Sequence, residues 1–483
     1  MKNSMKIFNL ISLLIFVSTV AFAQQPAIQN FRHYDQKGLN VFETGKSDTT
    51  LFTGFKVRLG LNSSFTFQNL DHENVIDTNQ VAGTGWHLID NTGKASKPDG
   101  IDDRTLVGIT NGFNLAMANL NLDAQLYDGI HMNLVAYLSS RHHQEAWVKG
   151  GYIQFDKLTF LKSDKIDNMM EYLTIKFGDY EVNYGDQHYR RSDGGNAMYN
   201  PFVENLILDE FTTEIGGELQ FHNKTGFLAV VELTGGEIKG DVAYPVSSAD
   251  TSGVKDANTG EVNKRSPSFI AKVGYDKQMN PDLRFRLTGS IYTTKSSVSN
   301  TLFGGDRTGS HYFMVVENYY SNITTNAFSG RLSKPYGDQL TAFMINPFVK
   351  FKGLELFGTL EFANGRNTNE ADTTTNKLIG HDRRTTSQYA IDAIYRFTQK
   401  ENFWVALRYN GVSSELPFTS PAFKTEIDKV NVTRFTVSAG WYILDNVMAK
   451  IEYVTQMYND YPTFDLRHEA KFNGIMIEAA LGF

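Results

Sequence analysis

From Phe55 to the end of the chain, apolar and polar residues alternate with a period of two residues. The stretch 434–443 shows the pattern, with large apolar side chains at every second position and Arg, Thr, Ser or Gly between them. Successive side chains of a β-strand point to opposite faces, so each such stretch has one apolar and one polar face. Convincing helical periodicity is nearly absent over the same range. The chain is therefore predicted to be all-β.

The alternation divides this region into about sixteen segments, each roughly as long as a tilted strand that crosses a bilayer. They lie near 55–68, 112–127, 129–140, 147–158, 172–184, 211–222, 225–235, 267–277, 282–294, 340–352, 353–364, 385–398, 402–412, 431–443, 446–457 and 472–483. The alternation slips in the second and fourth segments, so an error of one hairpin stays open and the range is 14–18 strands.

Short and long connections alternate between these segments. The short joints lie at 127–129, 222–226, 352–353, 399–402 and 444–446, and the intervening joints are mostly long and polar. Counted back from the last strand, which ends on Phe483, every short joint falls at the same end. A soluble sandwich has no reason to sort its connections in this way, whereas a transmembrane antiparallel β-barrel has short periplasmic turns and long extracellular loops. The barrel is the predicted fold class.

The amino terminus has the pattern of a secretory signal peptide. Lys2 and Lys6 precede an apolar run at 7–20, and the small-x-small site 21–23 follows that run. We therefore predict a signal peptide over 1–23 and export from the cytoplasm. The apolar run is too short to cross a bilayer as a helix.

The predicted organisation has two further parts. Residues 24–52 show no strong pattern and are predicted to form a short periplasmic N-terminal segment, which is either an ordered tail or a small plug. Residues 53–483 are predicted to form the barrel. The chain contains no cysteine, so disulfide bonds contribute nothing to its stability. A net charge of −7 without a basic cluster argues against nucleic acid as a partner.

The segment 176–186, which reads KFGDYEVNYGD, is the most specific local signal in the chain. It resembles the general outer-membrane porins, in which the fifth strand runs through a Gly-x-x-x-Tyr-Gly pattern into a constriction loop. The spacing here is longer, and Asp186 follows Gly185 where many porins have Arg. The resemblance covers about a tenth of the chain. It implies a third outer loop, at about 185–210, that folds inward and narrows a pore, and it also implies a homotrimer.

This loop carries charged residues that are candidates for a pore constriction: Arg190, Arg191, Asp193, Glu204 and Asp209. It also contains a run of apolar residues at 202–208 that a fully exposed loop would not need. We expect the loop to dock inside the barrel. Packing on neighbouring loops, or at a subunit interface, is the alternative.

Charged residues on the predicted inward faces are the other site candidates. The basic ones are Arg58, Arg284, Arg286, Arg396, Arg408 and Arg434, and the acidic ones that cluster on the sixth and seventh strands are Glu214, Glu218 and Glu232. Facing walls of opposite charge would set up a transverse field that orients polar solutes. Local ion pairs between neighbouring strands are the equally weighted alternative.

No pattern indicates an enzyme, since the Gly-x-Ser-x-Gly, His-Glu-x-x-His and P-loop motifs are absent from the sequence. No metal site and no cofactor are predicted, because the polar clusters at 142–145 and 99–103 are more typical of exposed loops. The sequence predicts an outer-membrane porin for the passive diffusion of small polar solutes, surrounded by lipid and lipopolysaccharide. The alternative is a barrel with a plugged lumen, whose long outer loops bind a surface partner, a polysaccharide or a secretion component.

Overall fold

The structure, a computed structural model, describes residues 25–76, 104–140, 147–192, 195–236, 266–297, 300–324, 326–332, 335–367, 383–419 and 425–483. Strands dominate these residues, and one short α-helix, α1 (Asp164–Met170), lies between the fourth and fifth strands. Among the described residues, no helix is both long enough and apolar enough to cross a membrane.

Sixteen strands are formed by the described residues. The first eight are β1 (Lys56–Glu73), β2 (Gly112–Tyr127), β3 (Ile130–Ser139), β4 (Trp147–Phe155), β5 (Leu173–Glu181), β6 (Thr213–His222), β7 (Phe227–Thr234) and β8 (Ser268–Asn280). The second eight are β9 (Leu283–Thr294), β10 (Gln339–Phe351), β11 (Leu354–Arg366), β12 (Arg384–Phe397), β13 (Phe403–Thr419), β14 (Thr425–Leu444), β15 (Val447–Asn459) and β16 (Lys471–Gly482).

Each strand pairs with its neighbours in sequence, and β1 pairs with β16 to close the barrel. The closing pair is antiparallel and runs in register from Asn62 opposite Gly482 to Glu73 opposite Lys471. The predicted fold class, an antiparallel barrel of about sixteen strands, is confirmed, and so is the pairing of the last strand with the first.

Two connections differ from the expected pattern. The predicted long loop at 413–430 is mostly strand, because β13 and β14 continue to pair as far as Thr419 opposite Thr425. The connection between β4 and β5 is long, although it lies at the end of the barrel that carries the short joints, here called the turn end. It contains α1, whose Met170 is buried. The opposite end is called the loop end.

The two faces of each strand differ as the alternation predicts. On β14, Val437 and Trp441 are about two-fifths exposed on the outside, whereas Arg434 and Thr436 are buried inside. On β16, Ile477 is exposed and Glu478 is buried. A closed sheet of this kind satisfies its backbone hydrogen bonds internally, so its apolar outer face can lie in a lipid bilayer.

Three segments occupy the interior of the barrel. The N-terminal segment (25–52) crosses the turn end, where Gln36 N donates to Asp445 O and Asn40 Nδ2 donates to Glu355. The inner loop (182–212) joins β5 to β6 and lies against the inner faces of β12–β15, as the bond from Val203 N to Glu452 on β15 shows. The upper loop (300–338) joins β9 to β10 and lies over the inner loop, where Leu332 N donates to Ile207 O.

A hydrophobic core fills the loop-end half of the barrel on the side of β8–β16. The inner loop contributes Val203, Ile207 and Leu208, the upper loop contributes Leu302, Phe303, Tyr312 and Val315, and the strands contribute Ile270, Leu340, Met344, Val432, Val454, Phe472 and Met476. Burial of these side chains stabilises each loop by the transfer of apolar area out of water. A cavity of about 210 Å³ remains within this part of the lumen, between the two loops and β14–β15.

The seam between β1 and β16 provides a test of closure. Gly474 has φ +148°, and an added Cβ would overlap the carbonyl oxygen of Asn69 across the seam. We expect Gly474→Ala to lower the free energy of unfolding by about 1–3 kcal/mol, because the backbone must shift to relieve the overlap. The temperature at which the heat-modifiable mobility on an SDS gel is lost measures this effect.

Gly289→Ala on β9 is the matched control, since an added Cβ there meets no atom within 4 Å. If the two variants unfolded at the same temperature, this result would contradict the expected role of Gly474 in the seam.

Candidate functional site

The inward arginines of β12–β14 lie beneath the inner loop. Arg408 donates to both carboxylate oxygens of Asp392 at 2.7 and 2.8 Å, and Arg396 donates to Glu355 at 2.8 Å. Arg434 donates to Gln456 at 2.6 Å and to two loop carbonyls, those of residues 205 and 330, at 2.7 and 2.6 Å. The three side chains are almost completely buried. Arg408 and Arg396 are paired with carboxylates of neighbouring strands, whereas Arg434 is held by neutral oxygens of the wall and of the two loops.

The acidic candidates on β6 and β7 also have local partners. Glu218 pairs with Lys176 at 2.7 Å, Glu214 accepts from Tyr292 at 2.6 Å, and Glu232 accepts from the backbone N of residue 183 at 2.8 Å. All three carboxylates are buried. Glu218 therefore has the local ion pair that the alternative predicts, whereas Glu214 and Glu232 are held by neutral donors.

The candidates of the inner loop pair mainly with the upper loop and with each other. Arg191 forms a bidentate pair with Asp209, and Arg331 of the upper loop donates to Asp209 at 2.6 Å and to Glu204 at 2.9 Å. Arg190 lies 3.7 Å from Glu355 and over the ring of residue 357 at 4.7 Å. The inner loop is thereby fastened to both the wall and the upper loop. Asp193 lies outside the described residues, as do the polar clusters at 142–145 and 99–103.

The remaining basic candidates lie near the turn end. Arg284 pairs with Asp276 on β8 at 2.7 and 2.8 Å, and Arg58 lies over the ring of Phe31 at 4.8 Å. Arg286 belongs to a larger group that joins three separate parts of the chain.

This group, the four-charge cluster, consists of Glu43, Asp186, Lys272 and Arg286. Arg286 donates to Asp186 at 2.7 and 2.8 Å and lies 2.8 Å from Glu43, while Lys272 lies 3.1 Å from Glu43 and 3.2 Å from Asp186. Burial alone would raise the pKa of Glu43, but Arg286 and Lys272 outweigh it and hold that pKa well below its ordinary value. The cluster ties the N-terminal segment and the inner loop to β8 and β9.

A carboxyl pair fixes the end of the inner loop. Glu210 forms a hydrogen bond with Glu361 on β11, and Gln388 donates to both carboxyl groups at 2.9 and 3.2 Å. Burial, with a smaller contribution from the neighbouring Asp209, raises the pKa of Glu210 to about 7. Because two ionised carboxylates cannot share a hydrogen bond, the contact requires one proton on the Glu210–Glu361 pair.

Open space remains along the opposite wall. A cavity of about 820 Å³, the vestibule, lies at the turn end between the N-terminal segment, α1 and the turns. A second cavity of about 250 Å³, the wall cavity, lies between β1–β6, the N-terminal segment and the inner loop. Asn30 borders both. A third cavity of about 210 Å³ lies between the inner loop, the upper loop and β14–β15. The two cavities that adjoin each other are therefore the vestibule and the wall cavity.

The wall cavity is lined by residues that the sequence analysis did not select as a site. On β2 the alternate positions Asn119, Asn121, Asp123 and Gln125 are buried inward-facing polar residues. Such a row of three amides and one carboxylate at a spacing of two residues is readable in the sequence and marks a polar inner face; Asn121 and Asp123 of this row line the wall cavity. The role of the N-terminal segment as part of the cavity wall has no comparable signal.

A closed barrel of sixteen strands, apolar outside and polar or loop-filled inside, gives this chain the architecture of a transmembrane antiparallel β-barrel. No protein-family model matches the sequence, and no curated protein matches it.

Among solved structures the chain is similar to several outer-membrane proteins. OprB of Pseudomonas putida (high-pH structure) has 9% identity and a TM-score of 0.46, with 89% of this chain and 94% of that chain covered. An anion-selective porin from Comamonas acidovorans has 10% identity and a TM-score of 0.45, with 89% and 100% covered. OmpF of Salmonella typhi in complex with daunomycin has 11% identity and a TM-score of 0.43, with 90% and 99% covered.

The four-charge cluster leads to a testable expectation for the N-terminal segment. We expect Glu43→Gln to weaken the attachment of this segment by about 3 kcal/mol, because the substitution leaves two buried cations with one fewer carboxylate. Limited proteolysis of the folded barrel, read out as the rate of cleavage within 25–52, measures the effect.

Asp35→Asn in the same segment is the control, because Asp35 only caps the backbone N of Lys37. Cleavage at equal rates in the two variants would show that Glu43 does not hold the segment in place.

Proposed function

We propose that the protein is an outer-membrane channel of restricted bore, which passes small polar solutes along the β1–β6 wall. The observation that carries this proposal is a pair of adjoining cavities: a polar wall cavity of about 250 Å³ lies beside β1–β6, next to a vestibule of about 820 Å³. The other side of the lumen holds a hydrophobic core and a separate cavity of about 210 Å³ between the two loops and β14–β15. A narrow aqueous path lined by hydrogen-bonding groups conducts by allowing solutes to exchange water for protein contacts.

In this proposal the inner loop narrows the pore by covering one wall. It lies on β12–β15, where Ile207 N donates to Asn410 at 2.7 Å and Leu208 N donates to Gln388 at 3.0 Å. The inward arginines of that wall therefore fix the loop instead of lining the path. Solute preference then depends on the residues of the wall cavity.

The predicted orientation of the barrel in the outer membrane is part of this proposal. The signal peptide 1–23 directs export, the turn end faces the periplasm, and the loop end faces outward with lipid and lipopolysaccharide around the barrel. The homotrimer and the lack of enzymatic activity remain predictions from the sequence.

One observation favours the second candidate, a plugged barrel whose outer loops bind a partner. The inner and upper loops form a hydrophobic core with the strands inside the lumen, which a wide water-filled pore would not contain. This candidate predicts a barrel that does not conduct.

Conductance measurements on single-cysteine variants separate the two candidates, since the chain has no cysteine of its own. We expect steady single-channel steps from the protein in a planar bilayer. In Asn121→Cys, a charged methanethiosulfonate reagent is expected to reduce the unit conductance by at least about half, because its pendant group enters a narrow conducting path.

Asn410→Cys is the matched control, because Asn410 is also an inward-facing asparagine but lies under the inner loop. The reagent should leave its conductance unchanged. Absence of conductance steps in the unmodified protein would overturn the proposed channel and favour the plugged barrel. A conductance block in Asn410→Cys without a block in Asn121→Cys would place the path beside β12–β15 and contradict the proposed path beside β1–β6.

A further inference from the structure

The two ends of the inner loop meet at one carboxyl group of the wall, that of Glu361 on β11. At the start of the loop, Tyr184 donates its phenol hydrogen to Oε1 of Glu361 at 2.9 Å. At the end of the loop, the carboxyl group of Glu210 forms a hydrogen bond with that of Glu361. Gln388 on β12 donates to both carboxyl groups and exchanges two hydrogen bonds with the backbone of Leu208. The contact between Glu210 and Glu361, called the loop latch, therefore fixes the end of the inner loop.

No positive charge compensates the loop latch. Glu210 is 3% exposed and Glu361 is fully buried, and neither carboxyl group forms an ion pair with a residue that the structure describes. Arg191 and Arg331 are both directed at the neighbouring Asp209. Apart from Glu361, Oε2 of Glu210 has no donor among the described residues. A shared proton therefore takes the place that cations have in the four-charge cluster.

Other titratable and charged groups surround the loop latch. Burial raises the pKa of Tyr184 well above its ordinary value, and it also raises the pKa of Tyr336 on the upper loop. Neither phenol therefore loses its proton near neutral pH. Arg384 of β12 lies towards the loop end, and on the other side Arg408 is paired with Asp392 at 2.7 Å. Both arginines stay protonated at every pH of interest, so these neighbours do not offset the loss of the shared proton.

The proton of the loop latch is lost as the pH rises. Burial, with a smaller contribution from Asp209, raises the pKa of Glu210 to about 7, above the 4.5 of an exposed glutamate. The folded protein therefore holds a proton that the unfolded chain releases at lower pH. The stability that the latch contributes falls as the pH rises from about 4.5 to about 7. Above this range two ionised carboxylates face each other in a buried site, where they repel each other and lack water.

We propose that the loop latch is a pH-dependent switch of the inner loop. While the pair holds its proton, the end of the loop is fixed to β11 and β12. When a base in solution takes that proton, the two carboxylates separate and the end of the loop is released. The inner loop also lines the wall cavity, through Tyr189, Asn196 and Tyr199 among others, so a released loop has this open space to move into. Closure of the path at alkaline pH rests on the proposed channel, whereas the release itself does not.

The first test detects the shared proton. In infrared difference spectra of the full-length protein in detergent, we expect a carboxylic-acid band that disappears with a midpoint at about pH 7 as the pH is raised. Glu361→Gln should lack this band, because the glutamine amide can donate to an ionised Glu210 without a proton. Glu210→Gln should lack the band for the same reason, and it is the second variant should Glu361→Gln fail to fold. A band of equal size in the parent and in either folded variant would overturn the loop latch.

The second test follows the release of the loop. Hydrogen exchange of the backbone at 207–212, with labelling times adjusted for the intrinsic effect of pH, reports on the attachment of the loop end. We expect exchange in the parent to be at least about tenfold faster at pH 8 than at pH 6, and no such change in Glu361→Gln. Glu469→Gln is the matched control, because Glu469 is an exposed carboxyl between β15 and β16, and it should keep the response of the parent. Equal pH effects in Glu361→Gln and in this control would contradict the switch.

Conductance links the switch to the proposed channel. In a planar bilayer, the fraction of time for which the parent channel is closed should increase between pH 6 and pH 8, and it should stay constant in Glu361→Gln. A protein that does not conduct but shows pH-dependent release would overturn the proposed channel and leave the switch standing. Steady conductance with neither the carboxylic-acid band nor the pH-dependent release would overturn the switch and leave the channel standing.

Discussion

Closure of the sheet between β1 and β16 is the constraint on which the rest of this structure depends. In a bilayer no water satisfies a free strand edge, so sixteen strands with lipid-facing apolar side chains are stable only as a complete ring. The continuous antiparallel pairing of β1 with β16 completes this ring. Once the wall satisfies its own backbone, the inward side chains are free to hold other parts of the chain.

The inward side chains of different strands have different partners. On β12–β14 they bind the carbonyls and amides of the inner loop, and Arg434 reaches the upper loop as well. On β2 and β3 they bind mainly one another and the N-terminal segment. Buried charges are costly unless they are paired or hydrogen-bonded, and on β13 and β14 the inner loop supplies carbonyl groups to Arg408 and Arg434. Beside the wall cavity, Lys176 is instead paired with Glu218 of the neighbouring strand.

Much of the fold could be predicted from the sequence, because the period of two residues reports directly on the two sides of the wall. The bounds of β2 agree with the alternation to the residue, and those of β9 to within one residue. The prediction was wrong where pairing continued past the visible pattern, as it does between β13 and β14 up to Thr419.

The interior was less predictable for a physical reason. An inward arginine such as Arg408 has the same sequence pattern whether it faces water or a loop from a distant part of the chain. Glu43 and Arg286 are brought together only by the tertiary fold, and no local rule connects two residues so far apart in sequence. The amide row on β2 was visible in the sequence, but charged residues were selected in preference to it.

The measurement that tests this account most directly is a crosslink that fixes the inner loop to the covered wall. Cysteines at Ile207 and Asn410, whose backbone N and side-chain oxygen are 2.7 Å apart, can be joined as a disulfide when the otherwise cysteine-free chain is refolded under oxidising conditions. We predict that the crosslink forms on folding and leaves the unit conductance unchanged, because the path lies along the other wall. Failure of the crosslink to form, or loss of conductance once it has formed, would contradict it.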